Sequence, residues 1–510
     1  MHISKLHAKC YGRFSRCSFG ALLAALLGVP IASTTAQPSI TPASYSVIER
    51  GNDYRIWQRT ILSTNPATGE VAQQVQSYRE LGNGICYQTA DSSYADSKDV
   101  VEITATGAEA VESPLQAYFD ADITSSNAIS LVPPSAMQAL QWSPLGLFYY
   151  DPTLGKVAEI GSVQSAQAVL YPPNTIVYTD VIPGLADLMV VCTKGGCEES
   201  LVIKRSPPPP SAFGLSASSR LQYWSAFECP EPREQRPVLL SSGLTDHILI
   251  FDSCWLPVGG VFKFGDTTAP LAGQATRIHL TDPSNPETIC LAKSLVTIAG
   301  QKVLIEEVNY LDILPTLKTL PQASLAPKRD KVVELAARGE LLIHPAAGRS
   351  TTWSVASSSL PYKVDGVVLD PVVLLSGNTN GYTFTSGTTY YIKNSFITGS
   401  GAVTFQNGAV IKFGTNGANT YLLTYGPVSF SYSGQPVIFT SKDDNSYGLP
   451  VSDSTSEPGY SAGQELWLYY ETIPTTVQNA VFHWAQRAIQ EDENSNAGDQ
   501  PTIKYCAFQN

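Results

Sequence analysis

The stretch Gly387–Gly414, GTTYYIKNSFITGSGAVTFQNGAVIKFG, contains no acidic residue, no His, no Cys and no Pro. Its apolar residues alternate in short bursts. Val403 and Phe405 come first, then a Gln406-Asn407-Gly408 turn, then Ala409, Ile411 and Phe413. A period of two marks strands with one buried face, and Gly and Asn between the bursts mark turns. The unit recurs. Val428 and Phe430 follow Val403 and Phe405 by 25 residues, and Val437 and Phe439 follow Ile411 and Phe413 by 26. Val477, Ala480 and Phe482 are matched 26 residues later by Ile503, Cys506 and Phe508. A strand unit returning at a period of roughly 20–50 residues is the mark of stacked coils. A βα repeat would need a helix, which these windows lack. An antiparallel meander or sandwich is the alternative, since it too has short strands and regular turns.

Composition agrees with a chain built of strands and turns. Gly (38), Pro (35) and Tyr (25) are plentiful, and charged residues make up only 15%. The expected fold class is therefore all-β. β-hairpin or sandwich-like domains are expected over residues 37–205 and 206–325, split at the proline run RSPPPPS (Arg205–Ser211). A connector is expected over 326–374, with a short helix suggested by Val332, Val333, Leu335 and Ala336 ahead of Gly339. A parallel β-helix of about 26 residues per coil is expected over 375–510.

On these repeated units, residues 375–510 resemble the right-handed parallel β-helix of the pectate-lyase-like kind. Polygalacturonase-type members carry an Asn-x-Asp motif, an Asp-Asp pair and a Gly-His-Gly. Here only the pair Asp443-Asp444 is present. Pectate lyases carry an Arg base, and no Arg lies between Ser350 and Trp484. A second segment, TIVYTDVIPGLADLMVVCTKGGCEESLVIK (Thr175–Lys204), resembles a β-module of large secreted or wall-associated bacterial repeat proteins. The resemblance rests on Tyr178, Pro183, Gly184, Asp187, Leu188, Gly195, Glu198 and Val202. It implies a setting of display or secretion and brings no catalytic residue.

The first 36 residues read as a signal peptide. Lys5, Lys9, Arg13 and Arg16 form a positive start, and Phe19–Ile31 is an apolar run of 13 residues, too short to span a membrane. Cleavage is expected after Ala36; an uncleaved N-terminal anchor is the alternative. Removing this segment takes the formal charge from −12 to −16. That balance argues against nucleic acid as a partner, because phosphates require a basic footprint. No other apolar run approaches the length of a membrane span, so none is expected after signal removal. Seven cysteines then remain. Cys192 and Cys197 flank Thr-Lys-Gly-Gly, a hairpin turn that would bring them face to face, so a disulfide is expected there. A zinc site would want a second close pair, and none exists.

Few residues offer chemistry. There is no Gly-x-Ser-x-Gly, no His-Glu-x-x-His and no phosphate loop. Asp443 and Asp444, in FTSKDDNSYG, follow directly on a core strand. Two adjacent carboxylates with Asn445 and Ser446 could offer hard oxygens to calcium, the one cofactor the sequence allows. They could also be half of an acid/base pair, or simply a turn. Tyr390, Tyr421 and Tyr425, if they face outward, would stack on sugar rings. The leading reading is an exported, non-enzymatic surface or adhesive β-helix protein that binds carbohydrate or a cell-surface component. The rivals are a polysaccharide lyase or glycoside hydrolase of the β-helix kind, and a fragment or subunit of a larger secreted repeat protein. The last coil, PTIKYCAFQN (Pro501–Asn510), has no cap of its own. A second copy, another chain or further downstream sequence is expected to cover it.

Overall fold

The computed structural model describes residues 39–41, 43–65, 68–105, 107–134, 138–264, 288–324, 332–334, 352–356, 362, 364–370, 372–375, 381–399, 401–415, 420–460, 464–469, 475–491 and 501–509. The expected signal segment (residues 1–36) and most of the expected 326–374 connector lie outside these residues. The described residues fall into two compact units, one of residues 39–41, 61–65 and 68–74 and one of residues 43–60 with those from 75 onward. In the smaller unit, Ser39–Thr41 pairs antiparallel with residues 62–64.

The larger unit contains a closed, mainly antiparallel barrel whose strands run from Glu102–Thr104 to Val372–Leu375. Consecutive hairpins build it. Thr175–Ile182, Ala186–Thr193 and Gly196–Ile203 form one run, and Ile289–Ile298 with Gln301–Asn309 form another. The second turns at Ala299 and Gly300, both left-handed (φ 50° and 82°), as a tight two-residue hairpin requires. Longer-range pairs tie the runs together. Arg220–Glu228 lies between Leu140–Asp151 and Gln301–Asn309, and Gly366–Asp370 bridges Gly196–Ile203 and Gly259–Phe264. The barrel takes strands from both sides of the Arg205–Ser211 proline run.

The 332–339 helix expectation is corrected in part: Val332–Glu334 is a strand, paired antiparallel with residues 156–158. Among the described residues the one α-helix is Tyr310–Leu317, which buries Tyr310, Ile313 and Leu317 against the barrel core. No helix of the described residues is long and apolar enough to cross a membrane.

Residues beyond Tyr382 pair in parallel. Tyr382–Phe384, Val403–Phe405 and Val428–Phe430 form one ladder, and Ser395–Thr398, Tyr421–Thr424, Gln464–Leu468 and Ile489–Glu491 form another. A third runs through Thr389–Ile392, Val410–Phe413, Val437–Ser441, Ala480–His483 and Ala507–Gln509. This is not the uniform right-handed parallel β-helix expected from the offsets. The third ladder is one part of a mixed sheet that continues through residues 79–81 into residues 54–58 and Ser46–Gly51, the last two paired antiparallel. Its rungs are also unevenly spaced along the chain: Thr389 pairs with Val410, Val410 with Ile438, Val437 with Ala480 and Val481 with Ala507. Ile411 meets Phe439 rather than Val437, a two-residue slip that keeps the same face buried. Alternation reports which face is buried; it says nothing of the direction of the neighbouring strand, and here most of the chain pairs antiparallel. The resemblance to pectate-lyase-like proteins, and the β-helix readings of function that rested on it, fall with this correction.

Inside the ladders the rings stack. Phe384, Phe405 and Phe430 lie 4.7 and 4.6 Å apart in near-parallel planes, and Phe439, Phe482 and Phe508 continue at 4.6 and 5.3 Å. A separate aromatic cluster joins this region to the barrel: Trp255 lies 5.0 Å from Tyr425 and 5.4 Å from Tyr469. Beside it, the buried Asn83 side chain bonds both backbone groups of Ile397, at 2.5 and 2.9 Å.

Candidate functional site

Asp443 and Asp444 stand just after Val437–Ser441, and both are buried. Residues 442–456 fold back over one face of the mixed sheet. Tyr391 Oη donates to Asp453 Oδ2 (2.9 Å), Tyr78 Oη to Ser452 Oγ (2.9 Å) and Tyr45 Oη to the Pro450 carbonyl (2.7 Å). This covering strap is what buries the acidic corner. Asp443 Oδ1 accepts from Lys442 Nζ (2.8 Å) and the Thr455 amide (2.6 Å), which hold its carboxyl below the usual range against burial, the largest influence. Asp444 accepts from Thr440 Oγ1 (2.8 Å) and the Ser446 amide (2.9 Å). Lys412, fully enclosed beneath the strap, donates from Nζ to the Asp444 carbonyl at 2.7 Å. Burial lowers the Lys412 pKa to about 8, although Asp444 and Asp443 pull the other way. Two ammonium groups thus occupy the positions next to these carboxylates. Among the described residues no group of three or more His, Cys, Asp or Glu side chains is placed to hold a metal ion.

The tyrosines expected to face sugars are buried. Tyr390 lies in the ring core, where its Oη accepts from the Thr385 amide at 2.8 Å. Tyr421 and Tyr425 do point out of their ladder, but the barrel packs against that face, placing them in one cluster with Trp255, Trp467 and Tyr469. Alternation could show that they leave the ladder interior; it could not show that a second body waits there. Cys192 and Cys197 sit directly opposite across their hairpin, Cα atoms 4.3 Å apart, and are joined by a disulfide. Cys86, Cys229 and Cys254 are buried free thiols, and Cys290 is buried beside Ala292 and Trp255 in the same core cluster.

The outermost strands are different in kind. Thr502–Lys504 pairs only with Thr476–Gln478, and Ala507–Gln509 only with Ala480–His483, so each ends its sheet among the described residues. Between them Tyr505 holds φ 53°, at the position of Asn479 (φ 51°) one rung below. Asn accepts the left-handed region readily; a bulky ring there is uncommon. Tyr505 is 88% exposed and Phe508 55% exposed, with Ile503 half exposed beside them. Among the described residues the ring column thus ends at the half-exposed Phe508, on strands that pair on one side.

One constellation escaped sequence reading altogether. Glu198, Glu199, Glu306 and Asp370 are all buried in the barrel. Tyr223 Oη donates to Glu199 Oε1 at 2.5 Å, and Ser200 Oγ lies 3.4 Å from Glu198 Oε1 and 3.5 Å from Asp370 Oδ1. Lys293 is directed elsewhere: its Nζ contacts both Asp246 oxygens (3.1 and 2.9 Å) and the Pro257 carbonyl. Burial pushes Glu199 up to about 7, with Tyr223 and Trp142 lowering it only in part. Burial, then the neighbouring acids, hold Glu306 and Asp370 well above the carboxylate range. The signal in the sequence was slight. Two Glu-Glu doublets stand in apolar strands, Glu198-Glu199 and Glu306-Glu307, and a doublet reads as an exposed turn. Only Glu307 reaches partly toward the surface, from within its strand, where it pairs with Arg220 (2.6 Å) and Gln222 (2.7 Å).

No family model, no curated protein and no solved structure matches the chain, so neither of the resemblances drawn from the sequence finds support there.

Proposed function

We propose that the chain is a self-associating protein, and that the open edge formed by Thr502–Lys504 and Ala507–Gln509 pairs with the same edge of a second copy. The observation that carries this reading is Phe508, the half-exposed last ring of an otherwise enclosed column. Long apolar edges are usually blunted by charge or covered, because their free N–H and C=O groups recruit other strands. Here Lys504 is the one charge between Pro501 and Gln509, so the edge carries little to repel a copy of itself. The far end of the third ladder is already taken by residues 79–81. Head-to-tail stacking through that ladder is thus blocked, and edge-to-edge pairing closes a two-fold dimer.

Sedimentation over a range of concentrations tests this on the full mature chain. Association that strengthens with concentration, is weakened by Phe508→Asp and slows thiol labelling of Cys506 supports it. A monomer at every concentration, with Cys506 reacting quickly, overturns it.

An exported setting goes with this reading. It is supported by the positive start and 13-residue apolar run of the first 36 residues and by the Cys192–Cys197 bond, since disulfides persist in oxidising compartments. The first residue of the mature chain is its check.

A further inference from the structure

We propose that the strap of residues 442–456 lifts as one piece from the sheet face while the rest of the chain stays folded, and that Lys412 is the residue that keeps its hold weak. The strap is tied together by its own bonds. Asp443 Oδ1 accepts from the Thr455 amide at 2.6 Å, and Lys442 Nζ donates to the Asp453 carbonyl at 2.8 Å. Asn445 donates from Nδ2 to Ser456 Oγ (2.7 Å) and accepts at Oδ1 from Ser454 Oγ (3.2 Å). These bonds join the two ends of the strap, so its shape does not depend on the sheet, as in compact surface loops packed on themselves. Its hold on the sheet is of another kind. The Leu449 amide donates to Thr389 Oγ1 (2.9 Å) and the Ser452 amide to Tyr78 Oη (3.2 Å), while the hydroxyls of Tyr45, Tyr78 and Tyr391 donate to the strap. Val451 is the one apolar side chain of the strap that is buried, in a cluster with Tyr78 and Tyr391. Segments held by few buried apolar contacts open at the low end of a protein's range of local stabilities.

Lys412 stands beneath the strap, between Tyr391 and Thr440 on the neighbouring strands. It is fully enclosed, and among the described residues one acceptor meets its ammonium, the Asp444 carbonyl at 2.7 Å. An ammonium carries three donors. The carboxyls beside that carbonyl serve others: Asp444 takes Thr440 Oγ1 and the Ser446 amide, and Asp443 takes Lys442 and the Thr455 amide. A buried charge with so few partners costs stability, and water returns to it when the strap lifts. The closed strap therefore works against the hydration of Lys412. The lowered pKa of this lysine, about 8 and caused first by burial, is the same penalty seen from the proton. Linkage fixes its sign: the closed state gains stability as pH rises through about 8 towards the ordinary lysine value of 10.5, and carries the whole penalty at neutral pH. Tyr45, Tyr78 and Tyr391, raised by burial, oppose this only above their ordinary value of 10, and Asp443, lowered, acts only in acid.

Residue-resolved amide hydrogen exchange of the full chain at neutral pH tests this directly. The Leu449 and Ser452 amides, which bond to the sheet, are expected to exchange together and faster than the amides of the barrel hairpin Ala186–Thr193 and Gly196–Ile203. The Thr455 amide, bonded within the strap, should lag behind them. Lys412→Met removes the charge and keeps a long side chain; it should slow Leu449 and Ser452 about tenfold or more and leave the barrel amides unchanged. Val451→Ala should speed Leu449 and Ser452 with the barrel again unchanged, and it serves if Lys412→Met does not fold. Leu449 and Ser452 exchanging only at the rate of the barrel amides overturns the proposal, because the strap would then open only with the whole chain. Thr455 exchanging in step with them also overturns it, since the strap would be coming apart rather than lifting. So does a Lys412→Met chain whose Leu449 and Ser452 exchange as fast as those of the wild type, or a Val451→Ala chain in which they are not speeded.

Discussion

The ring column makes a graded prediction. Phe405 is fully enclosed between Phe384 at 4.7 Å and Phe430 at 4.6 Å, with Phe439 5.3 Å to the side. Phe405→Ala removes a buried ring and leaves a cavity whose walls belong to three strands of a hydrogen-bonded ladder, so they cannot collapse inward. Such changes cost about 3–5 kcal/mol, and the value here should lie in the upper half, because two stacked contacts are lost with the ring. Phe508 is 55% exposed and has one ring neighbour, Phe482 at 5.3 Å. Phe508→Ala therefore forfeits about half of an ordinary ring burial, roughly 1 kcal/mol in a dilute monomer. The two variants should differ by roughly two to three orders of magnitude in unfolding constant, measured by denaturant melts of both at one low protein concentration. At concentrations where copies pair, the Phe508→Ala penalty should grow while that of Phe405→Ala stays fixed. A Phe405→Ala cost near 1 kcal/mol would refute the reasoning, for it would mean the column is not packed as described.

Three further outcomes are expected. At the acidic corner Lys442 and Lys412 already stand beside Asp443 and Asp444, so a chelator should leave the melting temperature unchanged. Asp444→Asn should cost about 1–2 kcal/mol through its weakened bonds to Thr440 and Ser446. A chelator-induced drop that Asp443→Asn abolishes would instead establish a calcium site. Edman sequencing of secreted material should begin at Gln37; an intact Met1 in the mature protein would remove the exported setting.

How legible each feature was depends on the range of the force behind it. Period-two alternation from Val403 to Phe482 reports burial, and each of Val403, Phe405, Ile411, Phe413, Phe439 and Phe482 is enclosed in one core. The Cys192–Cys197 hairpin was readable because turn and cysteines lie within six consecutive residues. Tyr421 and Tyr425 were not, because their burial depends on Trp255, far away along the chain. Nor was the Tyr310–Leu317 helix, eight residues with Pro315 inside it, which rests on the barrel core more than on its own propensity.

By itself, then, the sequence determined a strand-rich chain, the core-facing residues of the alternating strands and the tight turns, all of which follow from neighbours a few residues apart. The tertiary structure alone decided strand direction, the mixed sheet in place of uniform coils, the strap that buries Lys412, and the meeting of Glu199, Glu306 and Asp370. Each of these joins residues tens to hundreds of positions apart. Backbone hydrogen bonds form equally with a parallel or an antiparallel neighbour, so the alternation of side chains carries no record of which was chosen.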